Sequence, residues 1–231
     1  MSGALRHTRT AALHRAHAAL DRHLRSDGRR DVTAAKVELD QVTIASPNRG
    51  AGVHYLPTPW RVLDWLHETL PEPTPAWSFI DFGCGKGRVL LSAAQRPYGR
   101  VVGVEFAAEL AAAAHANLAV MAGRQASAIE VVEGDASQFA LPETPLVAFL
   151  FNPFGSPVID RVAANLARSY AEAPRPMLVA YLNPRHARVF EAMPGFSEVR
   201  LPLALAAKFR LLSPYGLRLF ATPEDRSLNR Q

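Results

Sequence analysis

Residues 77–88 read WSFIDFGCGKGR, an apolar run that stops at an aspartate and then passes through three glycines separated by single residues. Trp77 to Phe82 has the length and composition of a buried strand, and GRVLLSAAQ after it has the apolar spacing of a helix. In that order, strand, glycine turn and helix aim unpaired helix amides and closely approachable backbone at a ligand. Two phosphate-binding patterns fit the turn badly. A nicotinamide site needs G-x-G-x-x-G, whereas Gly83, Gly85 and Gly87 bring the third glycine one residue early. A phosphate-binding loop needs a hydroxyl residue after its lysine, and Lys86 is followed by Gly87.

Outward from this turn the pattern repeats. RVVGVEF (100–106), AIEVVEG, PLVAFLF and PMLVAYL read as strands. AELAAAAHANLAVMA and SPVIDRVAANLARSYAEA read as the helices between them. Such alternation implies crossover connections and therefore a mostly parallel, doubly wound Rossmann-like α/β sheet. HARVFEAM reads as a short helix, and GFSEVRLPLAL and LRLFAT as two strands forming an antiparallel C-terminal edge hairpin. Upstream, TPWRVLDWLHETL predicts a helix capped by Thr58, with Pro59 at its first position and Trp60, Leu63, Leu66 and Leu70 on its buried face. Residues 4–26 predict an amphipathic helix with a thin stripe of Leu13, Leu20 and Leu24 beside Ala16. The expected organisation is a basic helical extension and linker over 1–54, an α/β domain over 55–222 and a flexible tail over 223–231.

The charge is uneven. The net +5 of the 231 residues is matched by residues 1–30 alone, with seven Arg and two Asp, and the remainder is balanced. Attraction for phosphate would thus begin at the N-terminal segment, although 23 Arg against 3 Lys in an alanine-rich chain also reflects base composition. The single cysteine, Cys84, excludes an internal disulfide, and no Cys/His spacing suggests a metal. Apolar runs fall short of the roughly 20 residues that span a bilayer, so the expected partners include no membrane, and the expected compartment is cytoplasmic. The Arg-rich start also imitates an organelle transit peptide.

From about Tyr55 to Thr222 the chain resembles the class I S-adenosylmethionine-dependent methyltransferases. The likeness rests on D-x-G-x-G-x-G over Asp81, Gly83, Gly85 and Gly87, on Glu105 closing the second strand, and on Asp135 in VVEGDASQF. The resemblance implies S-adenosyl-L-methionine as cofactor. It assigns Asp81 to the methionine amino group, and the backbone of Gly83, Cys84, Gly85 and Gly87 to the methionine moiety. Glu105 would take the ribose hydroxyls, and Asp135 with Ala136 the adenine. Cys84 enters through its backbone and its packing rather than as a nucleophile.

The fourth strand runs into FNPFG, residues 151–155, at the sheet edge where ligands of open α/β folds bind. Amino-methyltransferases of the family carry [DN]-P-P-[YF] here. Asn152 and Pro153 match, Phe154 replaces the second proline, and Gly155 takes the aromatic position. Asn152, Pro153 and Phe154 are therefore candidate catalytic residues, with Asn152 also touching the cofactor, and Tyr55 is a candidate cover. A Y-x-P-T stretch at Tyr55, Pro57 and Thr58 is similar to some non-SET protein lysine methyltransferases. Asn183 and Pro184 form a second Asn-Pro pair, which reads first as a strand-ending turn, and His54 and His67 are candidate proton acceptors. The expected activity is methyl transfer to a nitrogen on a protein or small molecule. An RNA or DNA acceptor using the basic segment, or cofactor binding without turnover, are the alternatives.

Overall fold

The computed structural model describes residues 3–24, 33 and 55–224, with side chains from residue 8 to 22 in the first stretch. Seven strands form one sheet: β1 Ser78–Phe82, β2 Arg100–Glu105, β3 Ala128–Glu133, β4 Leu146–Phe151, β5 Met177–Leu182, β6 Ser197–Val199 and β7 Leu217–Ala221. Their order across the sheet is β3-β2-β1-β4-β5-β7-β6. The first five run parallel, and β7 lies antiparallel to both β5 and β6. The chain order reverses between β1 and β4, the topological switch point of a doubly wound sheet.

Period-two alternation sorts the strand side chains onto two buried faces. Phe79, Val101, Val147, Phe149, Leu178 and Leu219 share one core with residues of helices α2 (Trp60–Thr69), α3 (Arg88–Ala93) and α4 (Ala108–Ala119). Ile80, Val102, Ala148, Leu150, Val179 and Phe220 share the other with α5 (Ser156–Glu172) and α6 (Ala187–Glu191). Both faces are covered, which is why the central strands read as continuous apolar runs rather than as alternating ones.

Three expectations are corrected. LPLAL is not strand: Leu203–Leu211 forms a helix, α7, so the antiparallel pair β6 and β7 is joined through a helix rather than as a hairpin. The leucines and alanines there are strong helix formers, and Phe209 reaches the core from α7. Thr58 does not cap α2. Pro59 holds the N-cap position, and the buried Thr58 instead offers its carbonyl to Arg88. The first helix, α1 (Gly3–Leu24), does not bury the expected stripe. Ala16 is exposed and Leu13 and Leu20 are half-buried, while His17 and Asp21 are buried.

Those polar residues dock α1 on the sheet's helical layer. His17 Nε2 meets the Leu212 carbonyl at 2.8 Å, His14 packs edge-on against Tyr215, and Asp21 accepts the Trp60 amide at 3.2 Å. No helix of the described residues is long and apolar enough to cross a membrane. His54 and the residues after 224 lie outside the described residues.

Candidate active site

β1 delivers Asp81 next to its own C-terminal end, and the chain then leaves the sheet through Gly83, Gly85 and Gly87. All three have positive φ, at 83°, 53° and 79°. Two of them are also sterically fixed. A Cβ on Gly83 would lie 2.5 Å from the Pro153 Cβ, and one on Gly85 would lie 2.2 Å from the Tyr55 ring. The turn is tied to β2, since Gly83 and Cys84 donate to the Val104 carbonyl at 2.8 and 3.1 Å.

Glu105, buried at the end of β2, grips the same turn. Its Oε2 accepts the Gly85 amide at 2.8 Å and its Oε1 accepts the Ala107 amide at 3.0 Å. Burial pushes its carboxyl above the ordinary range, and those amides pull it back. Asp81 has no such relief. Its carboxylate makes no hydrogen bond among the described residues, and burial, with the Glu105 charge beside it, holds its carboxyl well above the ordinary range. A buried carboxylate without a donor is a strained acceptor that a cation or hydroxyl would satisfy. The same burial and the same two acids push the Cys84 thiol up, which removes it as a thiolate nucleophile.

Across the switch point, Asn152 and Asn183 follow the paired residues Phe151 and Leu182 on β4 and β5. The sequence pattern for a residue before proline is extended backbone. Both asparagines instead sit in the left-handed region, at φ 41° and 52°. Asparagine tolerates this conformation better than other side chains, and strain of this kind persists only where surroundings enforce it. For Asn152 the enforcing contact is visible: the buried Tyr181 hydroxyl donates to its Oδ1 at 3.2 Å, and the His186 amide donates to the same hydroxyl at 3.4 Å.

These residues face one cavity of about 360 Å³. Of the residues singled out in sequence, Tyr55, Asp81, Gly83, Cys84, Gly85, Glu105, Asn152, Pro153, Phe154 and Asn183 line it. Gly87, Asp135 and Ala136 are not among its lining residues. Asp135 caps a 3₁₀ turn over Ala136–Gln138, accepting from the Ser137 amide and hydroxyl, and Ala136 is buried in the second core. His67 lies in the first core against Phe79, its Nε2 3.0 Å from the Ser92 hydroxyl, with burial lowering its pKa to about 3. It stays neutral there without reaching the cavity.

The structure adds wall residues that the sequence reading passed over, notably Arg88, Phe106, Leu110 and Arg185. Phe106 directly follows Glu105 and meets Phe154 edge-on at 6.3 Å between ring centroids. Arg88 is almost wholly buried. It bonds Asp21 of α1 at 2.7 Å, the Thr33 hydroxyl at 2.7 Å and the Thr58 carbonyl at 3.1 Å, with its guanidinium over the Trp60 ring. Adjacency to a recognised residue would have flagged Phe106. Nothing local flags Arg88, whose partners are 30 to 67 residues away in sequence.

Residues 79–172 match the family model described as a methyltransferase domain. Over those residues the chain carries a methyltransferase domain, consistent with the class I S-adenosylmethionine-dependent family. Among solved structures, this domain's fold is similar to the mitomycin 7-O-methyltransferase MmcR, at 14% identity and TM-score 0.51 over 69% of this chain and 52% of that one. It is also similar to a predicted N6-adenine-specific DNA methylase from Listeria monocytogenes, at 16% identity and TM-score 0.50 over 72% and 51%. An RNA methyltransferase from Salinibacter ruber, crystallised with S-adenosyl-L-homocysteine, aligns at 21% identity and TM-score 0.46 over 72% and 92%. No curated protein matches the chain in sequence. S-adenosylmethionine is the methyl donor that this family uses, and the residues present suit it. An unpartnered acid, a second acid, a glycine turn and aromatic walls around one cavity answer an ammonium, sugar hydroxyls and a planar base.

Proposed function

We propose that this methyltransferase acts on a nitrogen, borne by a protein side chain such as lysine or by a small molecule. The observation that carries the reading is Asn152. It is a buried, left-handed asparagine at the end of β4, held by Tyr181 and facing the same cavity as Asp81 and Glu105. Bound S-adenosylmethionine would supply an activated methyl on a sulfonium, which leaves as a neutral thioether.

Each wall residue then has a task. Asp81 accepts from the ammonium of the methionine part, Glu105 from the ribose hydroxyls, and the glycine turn lets that ligand lie against backbone. Tyr55, whose ring covers Gly85 and whose hydroxyl bonds the Thr33 carbonyl at 2.7 Å, closes the site from the N-terminal side. Asp135 and Ala136 belong to the adenine end, and Asp135 would have to leave Ser137 to reach it. Asn152 accepts a hydrogen from the incoming nitrogen with the Oδ1 lone pair that Tyr181 leaves free, which aims the nitrogen lone pair at the methyl carbon. Pro153 and Phe154 form the wall behind it and exclude water. A lysine acceptor must arrive neutral, and a desolvated aromatic site favours that form.

The test uses methyl-labelled S-adenosylmethionine with the full chain in extract of a strain lacking its gene. Label released by protease, or recovered in amine-bearing small molecules, supports the reading. Label released by nuclease would assign a nucleic-acid acceptor instead. Cofactor binding with no labelled product would leave a non-catalytic binder.

A further inference from the structure

Arg185 stands two residues beyond Asn183 and lines the cavity, yet it is exposed. It makes no ion pair or side-chain hydrogen bond among the described residues, whereas other arginines do: Arg218 pairs with Glu191 and Glu198, and Arg88 with Asp21. Its position is fixed by a tight turn, in which its amide donates to the Asn183 carbonyl at 2.9 Å and the Asn183 amide donates to the Gly216 carbonyl at 2.8 Å. The Arg185 charge is felt at the buried Tyr181 hydroxyl that holds Asn152.

The cavity's charges are therefore ordered along the strand ends. Among the described residues, acids sit on β2 and β1, neutral amides follow β4 and β5, and Arg185 stands at the far rim without an ion pair. Adjacent strands are about 4.8 Å apart, so Asn152, Asn183 and Arg185 lie together at the side away from Glu105. A cavity of about 360 Å³ is near the small end of ligand pockets, which run from roughly 300 Å³ upward. The methyl donor alone accounts for most of it, and any acceptor larger than its reacting group must rest on the rim.

Resting on the nitrogen-acceptor reading, we infer that the acceptor carries a carboxylate or phosphate close to its reacting nitrogen, which Arg185 receives at the cavity mouth. The small cavity and the outward placement of Arg185 favour an acidic peptide, a lysine flanked by Asp or Glu, over a free small molecule. Arginine suits this work because its planar fork binds an oxyanion through two parallel hydrogen bonds while keeping its charge at any physiological pH. A fixed cation near the incoming amine also favours that amine's neutral form.

Two measurements decide the inference separately from the function on which it rests. In the first, inorganic phosphate and glutarate are titrated into the full chain saturated with S-adenosylhomocysteine, followed by NMR of the arginine side chains and backbone amides. Saturable shifts at Arg185 and Asn183 are expected, absent in Arg185→Ala, retained in Arg185→Lys, and unchanged in Arg188→Ala, a neighbouring exposed arginine. Identical titrations of wild type and Arg185→Ala would overturn the inference whether or not the protein methylates anything.

In the second, Arg185→Ala should lower label transfer to extract protein at least tenfold and leave S-adenosylhomocysteine affinity within about twofold. The labelled peptides should carry Asp or Glu beside the modified lysine. Weakened cofactor affinity with unchanged transfer at saturating cofactor would assign Arg185 to the methionine carboxylate and overturn it. Label confined to small anionic amines would keep the oxyanion and move its source. Nuclease-released label would overturn the acidic peptide.

Discussion

The strand ends on the two sides of the switch point do different kinds of work. On β1 and β2 the cavity is lined by carboxylates, Asp81 and Glu105, on ordinary strand backbone, with all the strain gathered into the glycine turn. At the ends of β4 and β5 the groups are neutral amides, and the strain sits in the asparagines themselves, Asn152 and Asn183. The first side can recognise a ligand by charge. The second can only orient one, which is what transfer from a reactive sulfonium to a lone pair requires. Removing a group on the first side should therefore change binding, and removing one on the second should change rate.

The largest expected effect concerns the buried ion pair that follows the glycine turn. Arg88→Ala leaves Asp21 buried beside Trp60 without its partner, and loss of one member of a buried pair costs about 3–5 kcal/mol. A thermal or urea melt should show a large drop in stability, with α1 released from the glycine turn. A melt close to wild type would mean that α1 is held by His14 and His17 instead.

Next in size, Asn152→Ala should lower kcat about 100-fold with little change in cofactor KM, by analogy with the cost of misplacing a reacting group. A rise in cofactor KM at constant kcat would erase the division between the two sides. A third test uses pH. The Asp81 carboxyl is raised in the folded protein, so its contribution to stability is full below the ordinary carboxylate value of about 3.9 and is lost as pH rises through the raised one. Binding should run the opposite way, because an ammonium favours the charged acid: S-adenosylhomocysteine affinity should increase with pH over the same interval. Asp81→Asn should flatten both profiles, and calorimetry across a pH series reads them. The smallest effect belongs to Tyr181→Phe. Losing one neutral hydrogen bond of about 1 kcal/mol should reduce kcat roughly fivefold without moving cofactor affinity.

The two sides also differed in how far sequence alone exposed them. The glycine turn and Glu105 were legible because a strand end, a turn and an acid at fixed spacing are local facts, and the parallel sheet followed from its alternating elements. Asn152 was legible as half of a motif. Its left-handed backbone was not, since the proline after it argues for the opposite and only Tyr181, 29 residues on, accounts for it. α7 was misread because Leu201, Leu203 and Leu205 alternate as in a strand, whereas packing against α2 decides the matter. Arg88 and Arg185 were passed over for a common reason. Arginine is so frequent in this chain that its abundance hides these two, which line the cavity.

The most direct measurement is calorimetric titration of S-adenosylhomocysteine into the full chain and into its Glu105→Ala and Asn152→Ala variants. One site is expected in the wild type, about 10- to 100-fold weaker in Glu105→Ala, as loss of a charged hydrogen-bond acceptor implies, and nearly unchanged in Asn152→Ala. Binding that survives Glu105→Ala intact but disappears in Asn152→Ala would contradict the account, because the cofactor would then lie on the opposite side of the switch point.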